Sequence, residues 1–265
     1  MKKILFFLSF ILPALFSCRA FAALAIDAST PAAVEVISTG LTTLTTASFT
    51  PPAGSVLYIM IGIDSSGPNP NKLTNITDNL GTHLTYSLVK EKGIELGADS
   101  LAYLYTAVVT TSQAMTVSMT ELSEPSSSMS YMKVLVVTGA DTASPVGVVG
   151  GGRGAVGVVS GTYNSTVNNS WGWLIYADWN DQAIPTPGVN QTLYDSYFVN
   201  NDDTYAIIDQ NSTTPGAGTS VTMNTTAPTS GAQTAYIYFE MKPVSVTTAS
   251  IISGNSIISG NSTIN

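Results

Sequence analysis

Val56-Leu57-Tyr58-Ile59-Met60-Ile61 is six large apolar residues in succession, and the reading of this stretch decides the fold. The run is too short for a typical helix and rich in residues that favour strands. Pro51-Pro52-Ala53-Gly54 precedes it and Ser66-Gly67-Pro68-Asn69-Pro70 follows it, both turn-forming clusters. A strand apolar on both faces must be covered on both, so this one belongs in the middle of a packed structure. Similar runs recur outward from it: Val34–Ser38, Leu41–Phe49, His83–Lys90, Leu101–Val109, Ala114–Met119 and Tyr131–Thr138. Further along come Trp171–Trp179, Tyr205–Ile208, Ser220–Asn224 and Thr234–Met241. Thr85–Lys90 and Tyr236–Glu240 alternate with a period near two, and no long window carries a capped helical period. The expectation is an all-β chain: a two-sheet β-sandwich of jelly-roll type, forming a single domain over residues 23–245.

Composition agrees and excludes several classes. The 265 residues carry a net charge of −8, with 10% charged and 44% hydrophobic residues, one Cys and one His. That balance suits a packed domain with a Ser/Thr/Asn/Gln surface rather than a disordered polyelectrolyte. One thiol closes no disulfide, and one Cys with one His makes no zinc site of that type. With no basic stripe, nucleic acid is not an expected partner.

The first 22 residues have the form of a secretory signal peptide. Met1-Lys2-Lys3 is basic, Ile4 to Phe16 is apolar, and Ala20-Phe21-Ala22 offers small residues for cleavage. Removing Lys2, Lys3 and Arg19 leaves six basic residues against all 17 acids, so the mature charge is −11. A secreted or periplasmic protein starting at Ala23 is expected. Leu15-Phe16-Ser17-Cys18 supplies the alternative, a lipid anchor at Cys18.

Two segments depart from the strand pattern. Gly147 to Gly161 is so glycine-rich that it suggests a long loop or a flat, bulged edge. The tail, residues 246–265, repeats Ser-Ile-Ile-Ser-Gly-Asn twice. It is expected to be either disordered or a strand donated to a neighbouring molecule.

Four blocks in order carry a family resemblance: Pro51-Pro52-Ala53-Gly54-Ser55-Val56-Leu57, Ile76-Thr77-Asp78-Asn79-Leu80-Gly81, Thr138 to Pro145, and Ala235 to Pro243. The series resembles a poorly characterised group of bacterial and phage-borne extracellular β-sandwich domains. Ser55, Thr82-His83 and Val146-Gly147 depart from the pattern of that group. The resemblance implies a fold and supplies no catalytic residues.

Site chemistry in the sequence is sparse. His83 is the sole imidazole, and no nucleophile motif accompanies it. Asp178, Asp181, Asp202, Asp203, Glu121 and Glu124 could furnish the carboxylate pair of a glycoside hydrolase, although their sequence contexts read as solvated turns. Asp178, Asp181, Asp202 and Asp203 are also weak Ca²⁺ ligand candidates; no other cofactor is expected. The three tryptophans fall within Trp171–Trp179, where Trp173 reads as core. Trp179, Asn180, Asp181 and Tyr176 are the expected ligand-contacting residues, an aromatic and amide patch suited to sugars. The function expected from these features is a secreted, non-catalytic module binding polysaccharide or a cell-surface glycan. The alternative is a structural subunit of an extracellular appendage that self-associates through residues 246–265.

Overall fold

The computed structural model describes residues 20–21, 23–40, 43–64, 73–93, 100–121, 124–154, 157–181, 183–199, 202–229 and 234–246. The repeat tail beyond residue 246 and the apolar leader lie outside them. Every described element is a strand or a bridge, and every pairing is antiparallel. The first half of the chain holds β1 (Ala20–Phe21), β2 (Ala25–Ile26), β3 (Val34–Gly40), β4 (Thr43–Thr45), β5 (Val56–Asp64) and β6 (Leu73–Asp78). It continues with β7 (Ser87–Lys92), β8 (Ser100–Val108), β9 (Val117–Glu121) and β10 (Glu124–Thr138). The second half holds β11 (Val146–Gly154), β12 (Ser160–Asn164), β13 (Trp171–Asp181), β14 (Thr186–Pro187) and β15 (Gln191–Phe198). It ends with β16 (Asp202–Gln210), β17 (Ser220–Ala227), β18 (Thr234–Met241) and β19 (Ser245–Val246).

The two halves repeat one topology. The first large sheet runs β3-β10-β5-β8-β7, with β2 sharing the outer edge of β10; the second runs β11-β18-β13-β16-β15. Each half adds a small sheet, β4-β9-β6 in one and β12-β17-β14 in the other. The register matches as well. Leu88, Tyr105, Ile59 and Val134 form one row across the first large sheet. Leu193, Ile208, Leu174 and Tyr238 form its counterpart across the second. A bulge follows Leu88 in β7 and Leu193 in β15, at the same point of the row.

The alternation of side chains then builds the layers. On β5, Tyr58 and Met60 face one way, into a cluster with Trp173, Ile175, Ile237 and Phe239 of the other half. Leu57, Ile59 and Ile61 face the opposite way, toward Leu44, Val117 and Met119 of the small sheet. Leu174, Tyr176 and Ile208 do likewise in the second half, against Tyr163, Val221 and Met223. The large sheets are therefore buried on both faces, as the Val56–Ile61 run requires. Where the sequence leads one to expect two sheets, the structure has a small and a large sheet in each half.

The halves meet with equivalent ends at the same end of the molecule. Tyr58 stacks on Phe239, whose cross-strand partner Trp173 is the counterpart of Tyr58. Tyr131 stacks on Tyr205, which pairs with Ala177, the counterpart of Gly62 and hence of the partner of Tyr131. A pseudo-twofold relating the halves thus runs along the strands, between the large sheets. Lys133 of β10 closes one flank of the seam with a 2.7 Å ion pair to Asp195 of β15.

Gly147 to Gly161 divides between two strands. Its first part is the edge strand β11, bulged between Val146 and Val149, and its last residues enter β12. Its glycines make room for tyrosine rings. A Cβ on Gly150 or on Gly161 would fall 2.0–2.2 Å from the ring atoms of Tyr238. Ala20–Phe21, inside the expected leader, pairs with Ser245–Val246.

Candidate functional site: a groove beside Asp78 and His83

Of the residues expected to form an aromatic surface patch, Tyr176 is turned inward. Tyr176 is fully buried, packed in the cluster beneath the small sheet with its hydroxyl 3.3 Å from Asp178 Oδ2. Burial removes it from any ligand surface. Trp179 is partly buried, and the side chains of Asn180 and Asp181 lie outside the described residues. Trp173 is fully buried as expected, held edge-on by Trp171 and Tyr194 at 5.0 and 5.2 Å.

The acidic residues are also placed differently. Asp178, Asp203 and Glu121 sit in strands and are buried, which overturns their reading as solvated carboxylates, while Asp178 keeps the strand that the Trp171–Trp179 run predicts. Asp178 accepts a hydrogen bond from the Thr234 hydroxyl, and Glu121 accepts one from Ser130 Oγ at 2.7 Å. Asp178 pairs across strands with Thr204, so Asp203 projects from the opposite face of the sheet. These two Ca²⁺ candidates therefore do not converge. The side chains of Asp181, Asp202 and Glu124 lie outside the described residues. Among the described residues, no group of three or more His, Cys, Asp or Glu side chains is arranged to hold a metal.

A different constellation forms where β6 turns toward β7. Asp78 ends β6, and its carboxylate organises the turn that follows. Oδ1 accepts from Leu80 N and from His83 Nδ1, each at 2.9 Å. Oδ2 accepts from Leu84 N at 2.9 Å and from the Tyr86 hydroxyl at 3.0 Å. Burial alone would raise this carboxyl, but the bonds from Leu84, His83, Leu80 and Tyr86 outweigh it and hold the group below the ordinary Asp range. Burial and the adjacent Asp78 charge push the Tyr86 hydroxyl the other way, upward. Tyr86 accordingly stays protonated and donates.

This network fixes His83. Asp78 is a buried acceptor, so Nδ1 carries a proton and donates it to Oδ1. The imidazole is 59% exposed while the Asp78 side chain is 0% exposed. His83 lines an open groove of about 990 Å³ between this turn, the end of β8 and the crossover between the halves. Thr82, Thr85, Ser87, Thr106, Thr110 and Gln113 contribute hydroxyls and an amide to its wall. Among the described residues, no Lys, Arg, Asp or Glu lines it.

His83 as a lone imidazole was visible in the sequence; the pairing with Asp78 was not singled out, although the five-residue spacing across Asn79-Leu80-Gly81-Thr82 is the length of one tight turn. Comparison of the chain with family models, with curated proteins and with solved structures found no match in any of the three.

Proposed function

We propose that this chain is an exported, non-catalytic binding module that takes a neutral, hydroxyl-rich chain such as a polysaccharide in the groove beside His83. One observation carries the reading: the groove wall mixes hydroxyl, amide and oriented imidazole groups with apolar side chains such as Leu80, Leu84, Val108 and Pro145, and no Lys, Arg, Asp or Glu among the described residues lines it. Hydroxyl and amide groups exchange hydrogen bonds with sugar hydroxyls in both directions, and apolar side chains suit the faces of sugar rings. His83 supplies an oriented imidazole with Nε2 turned away from Asp78. The finer fold reading, a jelly-roll-type sandwich in each half, belongs to the same proposal and is supported by the repeated order of the large and small sheets. Export is supported by the three-part leader, and an intact mass starting at Ala23 in protein from the producing cell tests it.

Electrophoresis through native gels containing dextran, mannan or xylan tests the binding. Retention by at least one polymer is expected, and His83→Ala, which removes one of the four hydrogen bonds on Asp78, should reduce it about tenfold while lowering the melting temperature by less than Asp78→Ala does. Unchanged retention of that variant would remove the groove from the proposal. Release of shortened chains from the retaining polymer would overturn the non-catalytic reading.

A further inference from the structure

The groove beside His83 has a counterpart in the second half. A pocket of about 330 Å³ opens where β15 begins and β16 ends. The register row fixes the correspondence: Leu88 matches Leu193 and Tyr105 matches Ile208. Counting from those anchors, Thr85 corresponds to Asn190, Ala107 to Gln210 and Val108 to Asn211. All three pairs line their respective cavities. Past the strands the loops differ in length: Val109 exchanges backbone bonds with Gly54 and Ser55 as Thr214 does with Asn169 and Ser170, so Thr214 stands where the first half has Val109.

We infer that the second half carries a second ligand site of the same chemical class, formed by Asn190, Asn211, Ser212, Thr213 and Thr214, so that the chain is bivalent for neutral sugars. The inference rests on the function proposed above and extends it. The chemistry of the pocket supports it independently of the first site. Its lining is mostly residues with amide and hydroxyl groups, with Pro215 and Val221 beside them, and among the described residues it contains no charged side chain. Thr214 is 2% exposed, and its hydroxyl has no hydrogen-bond partner among the described residues. A buried donor left without a partner is costly, and its place in the lining makes it a group that a ligand or an ordered water can satisfy. Asn190 holds a backbone φ of 60°, a conformation that Asn tolerates, and its carbonyl accepts from Asn211 N at 3.0 Å. The pocket rim is therefore tied together by its own backbone.

The pseudo-twofold gives this second site a consequence. Because it runs along the strands, both cavities lie at the same end of the molecule, and one polymer or one surface can reach both. Simultaneous engagement makes the second event intramolecular, so affinity for a long chain exceeds that for a short one without new contacts.

The test is a calorimetric titration of the full chain with isomaltopentaose, mannopentaose and xylopentaose, beside retention on the parent polymers. Two equivalents of one pentasaccharide per chain are expected. His83→Ala should leave one equivalent and Asn211→Ala should leave the other, with Ser212→Arg, which fills the pocket, behaving as Asn211→Ala. Either loss should cut retention on the parent polymer tenfold or more. A titration that ends at one equivalent, abolished by His83→Ala and untouched by Ser212→Arg, overturns the second site and leaves the first standing. Binding of none of the three sugars or polymers overturns both.

Discussion

Replacing Asp78 by Ala should be among the most damaging single changes outside the apolar core. The side chain has 0% exposure and accepts four hydrogen bonds, from Leu80 N, Leu84 N, His83 Nδ1 and the Tyr86 hydroxyl. A hydrogen bond to a charged group contributes about 1.5–3 kcal/mol, but the four share one carboxylate and do not add in full. Two amides and a hydroxyl would also be stranded in a partly buried turn. The expected loss is about 3–5 kcal/mol at pH 7, or roughly 6–20 °C in melting temperature for a chain of this size. The pH dependence identifies the cause. The folded carboxyl lies below the ordinary Asp value of 3.8, so its contribution is present above that value and disappears as pH falls through the folded pKa. Urea denaturation of both proteins at pH 7 and at pH 2, followed by tryptophan fluorescence, measures the difference. The gap should narrow at pH 2, and Asp78→Asn, which keeps the shape but loses the charge, should fall between the two. A penalty under about 1 kcal/mol at pH 7, or one as large at pH 2, would refute the carboxylate network as the organiser of the turn.

Three other changes probe the packing. Trp173→Ala should cost about 3–5 kcal/mol, since the indole is fully buried between the large sheets against Trp171 and Tyr194; an equilibrium denaturation curve reads it directly. Gly62→Ala should cost about 1–3 kcal/mol, because the new methyl would lie 2.2 Å from Tyr205 Cδ1 and the ring is held by its stack on Tyr131. Unchanged stability there would mean that Tyr205 moves freely. Asp209 behaves oppositely to Asp78: burial raises its carboxyl to about 6, so stability declines as pH rises from the unfolded value toward 6 and the deficit persists above it. Asp209→Asn should therefore stabilise by about 1–3 kcal/mol at pH 8 and hardly at all at pH 3, in paired melting curves.

The strands were largely legible because burial on both faces leaves a coarse mark. Val56–Ile61, Leu101–Val109, Tyr131–Thr138 and Trp171–Trp179 all lie in the large central sheets, where most residues are apolar whichever way they point. What escaped was whatever depended on a second strand. β15 (Gln191–Phe198) contains Asp195 and Ser196, polar residues that pass for loop until Lys133 is seen opposite Asp195. For β11 the glycines left loop and bulged edge both open, and Tyr236 and Tyr238, filling the space above them, are what make it the edge strand. The burial of Asp178, Asp203 and Glu121 was hidden for the same reason: a carboxylate reads as solvated unless its partner, Thr234 or Ser130, is already in place. Asp78–His83 needed only a local turn, and the sequence contained it, but its significance comes from the groove that β8 and the crossover build around it.

The duplication escaped for a deeper reason, and that reason bears on function. Counterpart residues need only agree in the face they present: Ile59 matches Leu174, Tyr105 matches Ile208, Val134 matches Tyr238. A sheet imposes period two and bulge position, and many side chains satisfy that. Two halves of unlike sequence can therefore share one topology, and their strand ends can carry different residues. At those ends the first half has His83 over a buried Asp78, while the second has Asn190 and Asn211. The inner faces are constrained differently. Tyr58 must fit Phe239 and Tyr131 must fit Tyr205 across the seam, so neither half can drift without the other. The seam thus fixes the relative placement of two grooves whose linings are free to change. A ligand-binding chain built this way can alter what each groove recognises while keeping both at one end, which is the arrangement that two-point attachment to a single polymer requires.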